Sequence, residues 1–167
     1  MSETETNEQR VRKGGSAERV RAFLEQHGLA DALVCFEQST KTAQLAAEAM
    51  GCELGQIVKS LVFVVNGKPV VALVAGDRRG DPAAIASLMG GRTAAFADAE
   101  TVRQATGYAI GGVSPFGLPE GLPVYVDDSL GRFDVVYPAG GTPSSMVRLS
   151  FDRLLEVTGG IVARISE

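Results

Sequence analysis

The sequence predicts a single α+β domain, with a mixed, largely antiparallel sheet surrounded by helices. Three observations lead there. The order of helix-like and strand-like segments is neither a strict βαβ alternation nor an all-β run. The clearest element is a Val-rich hairpin, Ile57–Val65 and Lys68–Ala75, around Asn66-Gly67. The chain has 167 residues, 45% of them hydrophobic, which suits one sizeable core and gives no sign of two.

Residues 1–15 are polar, end in Gly14-Gly15 and are expected to be a disordered tail, leaving 16–167 as the domain. Ser16 can cap a helix running to His27, with Val20, Phe23 and Leu24 at helical spacing and Gly28 as its C′ residue. Ala32 to Phe36 is a short strand candidate, and a helix over about Thr42 to Met50 ends at Gly51. In the hairpin, Asn66-Gly67 tolerates positive φ at both turn positions and favours a type I′ turn. Pro69 cannot donate to a ladder, so the return strand is expected at an edge. Asp81-Pro82 is an N-cap followed by proline at N1, opening a helix to about Met89. Asp98 caps another, Ala99 to Thr106, stopped by Gly107. Strands are expected at Val124 to Val126, Val135 to Tyr137 and Met146 to Leu149. Ser150 caps a helix through Val157, and Gly160 to Ile165 is a last strand.

Composition narrows the chemistry. The formal net charge is -4, so any RNA contact has to come from a local patch or a partner. There is no helix-turn-helix signature and no basic stripe, which argues against specific DNA binding. His27 is the only histidine, and Cys35 and Cys52 are the only cysteines. A histidine zinc site, a Ser-His-Asp triad and a Cys-His pair lose support together, and no metal or other cofactor is expected. With no signal peptide and no long apolar run, the protein is expected in the cytoplasm, away from membranes.

Lys59 is the most informative residue. Alternation along the strand places Ile57, Lys59, Leu61, Phe63 and Val65 on one face, and Val58, Ser60, Val62 and Val64 on the other. An ammonium in so apolar a strand is costly to bury. It either snorkels to water or is held in a cleft for an anionic or hydroxyl-rich ligand. Gly111-Gly112-Val113-Ser114-Pro115-Phe116-Gly117 is a loop where backbone can approach a ligand and amides can donate to it, with Pro115 as stiffener. A plain helix-to-strand connection is the alternative. Gly140 to Ser145, containing Gly141, Ser144 and Ser145, reads first as a hairpin loop and second as a source of ligand hydroxyls. Asp127-Asp128 at a strand end is an acid–base candidate or a cap.

The segment Ile57 to Phe63 resembles the lysine-bearing strand of YbaK/ProX-type aminoacyl-tRNA deacylases, relatives of the editing domain of bacterial prolyl-tRNA synthetase. The run from Ala97-Asp98 through Thr106-Gly107-Tyr108 to Gly111-Gly112-Val113-Ser114-Pro115-Phe116-Gly117 resembles that family's second signature, a TGY followed by a GGxSPxG loop. Pro123 to Asp127 and Tyr137 to Gly141 fall in the expected order, and the resemblance spans about residues 17 to 165.

The resemblance implies the YbaK/prolyl-tRNA synthetase editing-domain fold and hydrolysis of the ester joining a wrong amino acid to the tRNA 3′-terminal adenosine. It implies that Lys59 positions that adenosine, and that Gly111, Gly112, Ser114 and Pro115 belong to the loop whose backbone donors bind the substrate carbonyl. Thr40, Thr42, Val113, Asp127, Gly141, Ser144 and Ser145 are the expected substrate-binding residues. The expected partner is the acceptor end of aminoacyl-tRNA, above all tRNA(Pro) carrying alanine, cysteine or another small amino acid, with prolyl-tRNA synthetase as a candidate companion. An aminoacyl ester is already activated, so backbone donors and a held water suffice without histidine or metal. The alternative is an inactive module that holds the acceptor end without hydrolysis.

Overall fold

The computed structural model of the chain describes residues 7–167, with side chains from residue 15 onward. Of the expected tail, residues 1–6 lie outside the described residues. From Asn7 the backbone is helical, as part of α1 (Asn7–Gln26), which breaks at Gly15 (φ 76, ψ -155). Ser16–Gln26 is the segment the sequence marks.

The remaining helices are α2 (Ala43–Met50), α3 (Pro82–Leu88), α4 (Ala99–Thr106) and α5 (Phe151–Thr158). Thr42, Asp81, Asp98 and Ser150 cap them through their side chains, and Gly51, Gly107 and Gly159 close three of them in the left-handed region. No helix among the described residues is long and apolar enough to cross a membrane.

The strands are β1 (Leu33–Cys35), β2 (Ile57–Val65), β3 (Lys68–Ala75), β4 (Ala95–Phe96), β5 (Val124–Asp127), β6 (Val135–Pro138), β7 (Ser145–Val147), β8 (Leu149–Ser150) and β9 (Ile161–Ala163). The main sheet runs β8-β6-β2-β3-β5-β9, with β4 also on β2; β1 and β7 form a separate antiparallel pair. Pairing is antiparallel for β2–β3, β2–β4 and β6–β8, and parallel for β2–β6, β3–β5 and β5–β9. The hairpin has its expected bounds, and Asn66 (φ 52) and Gly67 (φ 76) both take positive φ.

Two expectations are corrected, and one strand is added. β3 is an interior strand. Pro69 is tolerated because β5 pairs only with Val71–Leu73, beyond the proline. Met146 to Leu149 is two strands: the chain leaves β1 at Val147, crosses the exposed Arg148 and joins β6 at Leu149. β4 is an addition too short to announce itself in sequence.

Both faces of β2 and β3 are covered, which explains their continuous Val-rich runs. Val58, Val62, Val71 and Leu73 pack with Val20 and Leu24 of α1, Val102 of α4 and Leu154 of α5. Phe63, Val65, Val70 and Val74 pack with Ile85 and Ala86 of α3. One length of β2 is less enclosed. On the side away from β3, β6 pairs only with Ile57 and Val58, and β4 only with Phe63 and Val64. Lys59 to Val62 occupies the notch between them.

Candidate active site

A cleft of about 290 Å³ opens at this notch. Lys59 and Ser60 contribute from β2, Thr40 and Thr42 from the start of α2, and Gly111 and Val113 from the glycine loop. Ile57, Leu61 and Met146 make apolar wall. A second cleft of about 400 Å³ adjoins it, sharing Thr40, Lys41, Gly111 and Ala139 and adding Ile110, Gly112 and Gly141. Lys59 and the loop, 52 residues apart between Lys59 and Gly111 in sequence, thus line one space.

Lys59 is half-buried, and its Nζ donates to the Arg78 carbonyl at 2.5 Å. Burial pushes its pKa below the ordinary 10.5; Asp77 pulls it back up, and Arg79 lowers it again. The ammonium is therefore neither buried without a partner nor neutralised by a carboxylate in contact. Ser60 points to the opposite face of β2, and its hydroxyl is buried with no hydrogen-bond partner among the described residues.

The glycine loop is held at both ends. Arg19 of α1 donates through Nε (3.0 Å) and Nη2 (2.7 Å) to the Gly117 carbonyl. Its guanidinium lies 4.7 Å over the Tyr108 ring. A Cβ on Gly107 would come within 2.0 Å of Arg19 Nη1, so Gly107 serves both the helix end and this close approach. The Tyr108 hydroxyl donates to the Phe116 carbonyl. Burial pushes its pKa up to about 12, which keeps it a donor at neutral pH.

Within the loop, Gly112 N–H is spent on the Ala109 carbonyl (2.9 Å). The amides of Gly111 and Val113 have no protein partner among the described residues, and both residues line the first cleft. They are the donors available to a ligand oxygen. Gly111 needs its glycine for φ 82, whereas Gly112 does not lie in the left-handed region.

The other expected site residues divide. Thr40 Oγ1 donates to Pro143 O (3.3 Å), and Thr42 Oγ1 accepts from Leu45 N (3.1 Å), so both line the cleft while fixing the entry to α2. Gly141 lines the second cleft, and a Cβ there would be 2.6 Å from the Ser16 carbonyl. Ser114 is fully buried; its Oγ donates to the Ala139 carbonyl at 2.9 Å, tying the loop to the segment after β6. Pro115 is buried and lines a separate hollow with Phe23. Ser145 is buried on β7 and accepts from Thr142 Oγ1 (2.7 Å), and Ser144 accepts from Phe36 N through its carbonyl (2.8 Å). Neither serine lines the first or the second cleft.

Asp127 is a correction. It is fully buried and away from both clefts. Its carboxylate accepts from Ser129 N (3.2 Å), Ser129 Oγ, Ile165 N (2.9 Å) and Ser166 Oγ (2.8 Å). Burial alone would raise its pKa, but these donors together outweigh burial and lower it. A carboxylate so fully engaged ties the turn Asp128–Arg132 to Ile165 and Ser166, beyond the last strand, and has nothing left for a ligand.

Sequence reasoning passed over Ser60, Lys41 and Arg19. Ser60 had a signal, a hydroxyl within an apolar strand buried on both faces. Arg19 had none, because its contact is 98 residues away in sequence.

A partly open cleft lined by Lys59 and Lys41, with unspent backbone donors, suits binding and polarising an ester, and no metal-ligand cluster occurs among the described residues. The chain belongs to the aminoacyl-tRNA editing domain family, whose model matches residues 37–157. It is 37% identical to the uncharacterised protein YwhH of Bacillus subtilis, over 84% of this chain and 90% of that one. It is 32% identical to the multifunctional Ser/Thr-tRNA deacylase ProXp-y of Escherichia coli, over 82% and 85% of the two chains. Its fold superposes on the crystal structure of a candidate trans-editing enzyme for prolyl-tRNA synthetase with a TM-score of 0.83 and 44% identity, covering 91% of this chain and 97% of that one.

Proposed function

We propose that the protein is an aminoacyl-tRNA deacylase that hydrolyses mischarged tRNA, with tRNA(Pro) bearing a small wrong amino acid as its substrate. The observation that carries this reading is that Lys59, Gly111 and Val113, the last two with amides unpaired among the described residues, line one cleft within a chain of the editing-domain family. Lys59 holds a phosphate or ribose oxygen of the terminal adenosine. The loop amides receive the ester carbonyl oxygen. Water attacks the carbonyl carbon, negative charge grows on that oxygen where the amides stabilise it, and the ribose oxygen leaves with a proton. Each such donor contributes about 3 kcal/mol in comparable sites. The products are a free amino acid and a free tRNA 3′ end.

The two adjoining clefts, about 290 and 400 Å³, leave room for the amino acid and the nucleoside. Because the chain is acidic overall, tRNA selection rests on local contacts, with prolyl-tRNA synthetase as a companion that can supply the rest, in the cytoplasm where tRNA is charged.

The test is a deacylation panel of Ala-, Cys-, Ser- and Pro-tRNA(Pro), run beside a binding titration with uncharged tRNA. Turnover of at least one mischarged species, with Pro-tRNA(Pro) spared, is the expected result. Binding without turnover of any of them would make the protein an acceptor-end binding module instead.

A further inference from the structure

Lys59 is held by a neutral carbonyl although a carboxylate lies one residue away from that carbonyl. We propose that Arg132 is a positioning residue for Lys59: by engaging Asp77 in a two-point ion pair, it stops that carboxylate from capturing the ammonium, which stays on the Arg78 carbonyl and open to the cleft. The inference rests on the assignment of Lys59 to substrate binding.

The pair has the geometry such a role needs. Arg132 Nη2 donates to Asp77 Oδ1 at 2.8 Å and Nη1 to Oδ2 at 3.1 Å, so both carboxylate oxygens are taken. Arg132 Nε donates to the Ser129 carbonyl at 2.6 Å, which fixes the guanidinium plane. The Asp77 turn is seated from below by the 3-10 turn Leu54–Gln56. A Cβ on Gly55 would lie 3.0 Å from both Arg132 Nη2 and Asp77 Oδ2, and one on Gly76 would lie 2.4 Å from the Leu54 carbonyl. Arg78 N closes the turn on the Ala75 carbonyl at 3.0 Å, and Glu167 N donates to the Arg79 carbonyl at 2.8 Å. The Arg78 carbonyl is therefore a fixed acceptor.

A carboxylate binds an ammonium more tightly than a neutral carbonyl does, the more so where water is partly excluded. Asp77 already acts on Lys59 through space, raising its pKa against the effect of burial. The hydrogen bonds from Arg132 lower the Asp77 pKa from its ordinary value, so the pair is charged at neutral pH. Freed from Arg132, Asp77 is left with the cations that it already feels through space, Arg78 and Lys59, and Lys59 is the one that lines the cleft. An ammonium moved by an ångström no longer meets the substrate oxygen, and such a displacement costs about 100-fold in rate.

This gives a suppression test that a merely structural strut would fail. Arg132→Gln, Asp77→Asn and the double variant are compared with the unmodified chain for single-turnover deacylation of a mischarged tRNA(Pro), with thermal melting alongside. Arg132→Gln should lose about 100-fold. Asp77→Asn, whose amide oxygen still accepts from Arg132, should stay within about fivefold, as for other partly exposed pairs. The double variant should recover at least about tenfold over Arg132→Gln, because no carboxylate remains to divert Lys59. A double variant no faster than Arg132→Gln, or an Asp77→Asn protein as slow as Arg132→Gln, overturns the proposal. If Arg132→Gln does not fold, the Asp77→Asn rate alone decides: near wild type supports the proposal, and a 100-fold loss overturns it. Lys59→Ala separates the two levels. Wild-type activity in that variant removes the assignment of Lys59 itself, whereas an inactive Lys59→Ala without suppression removes only the role of Arg132.

Discussion

Lys59→Ala deletes the 2.5 Å bond to the Arg78 carbonyl and the aliphatic stem that half-buries beside Leu61. The carbonyl sits on an exposed turn and rehydrates, so the lost bond costs about 1 kcal/mol or less. Loss of the stem costs about another 1 kcal/mol. Against this, the fold no longer carries a partly desolvated ammonium. The sign follows from the pKa: Lys59 titrates below 10.5 in the folded chain, so its charge disfavours folding at neutral pH, and that cost vanishes only as pH rises past the unfolded value. The net change in stability should therefore be small, a shift of about 2–4 °C for each kcal/mol in a domain of this size. The rate should fall about 100- to 1,000-fold, or about 3–4 kcal/mol, because the other lysine lining the cleft, Lys41, stands on the segment before α2 and not on β2. Single-turnover release of labelled amino acid from mischarged tRNA(Pro), with a melting curve on the same sample, reads both quantities. Lys59→Arg should rescue part of the activity, since the charge is kept and the shape is not. If the ammonium form of Lys59 is the active one, the wild-type rate should fall at alkaline pH and the Lys59→Arg rate should not, since burial lowers the lysine pKa and arginine keeps its charge. Wild-type turnover by a folded Lys59→Ala protein would refute the reasoning.

The loop, its brace and the buried carboxylate give further tests. Gly112→Ala places a Cβ whose nearest neighbour is the Ala109 carbonyl at 3.6 Å, and the residue has no positive φ, so melting should be unchanged or slightly raised. The methyl group projects where the second cleft opens, and kcat/KM should drop; normal turnover by the stable variant would exclude Gly112 from substrate contact. Arg19→Ala removes both bonds to the Gly117 carbonyl, and the Gly112 amide, bonded to the Ala109 carbonyl, should exchange hydrogen faster while deacylation slows about tenfold. Unchanged exchange would show the loop rigid without Arg19. Asp127→Asn should cost about 2–4 kcal/mol in urea unfolding, because an amide cannot accept from all the donors gathered there. The wild type keeps this contribution above the ordinary carboxyl value of 3.8 and loses it as pH falls through the lowered folded value. A change under about 1 kcal/mol would contradict the structural role given to Asp127.

Local chemistry made much of this protein legible from its sequence. Asn66-Gly67 dictates the hairpin because few other residues take positive φ twice in succession, and Asp81-Pro82, Asp98 and Ser150 cap helices with their own side chains. The alternation along Ile57–Val65 placed Lys59 on its face, and the glycine loop was visible as a glycine-rich run stiffened by Pro115. What depends on contacts between distant segments was decided only by tertiary structure. Strand order put β3 inside the sheet despite Pro69, since proline matters only where a neighbour reaches for its missing N–H. Asp127-Asp128 read as an acid–base pair or a cap; Asp127 caps the following turn, and the C-terminal residues Ile165 and Ser166 return to add further donors to it. Which amides of the loop remain free, which carbonyl holds Lys59 and which arginine occupies Asp77 are all settled by partners far away in the chain. Hydrogen bonds and ion pairs have a reach of about 3 Å, and only the folded chain determines which groups come that close.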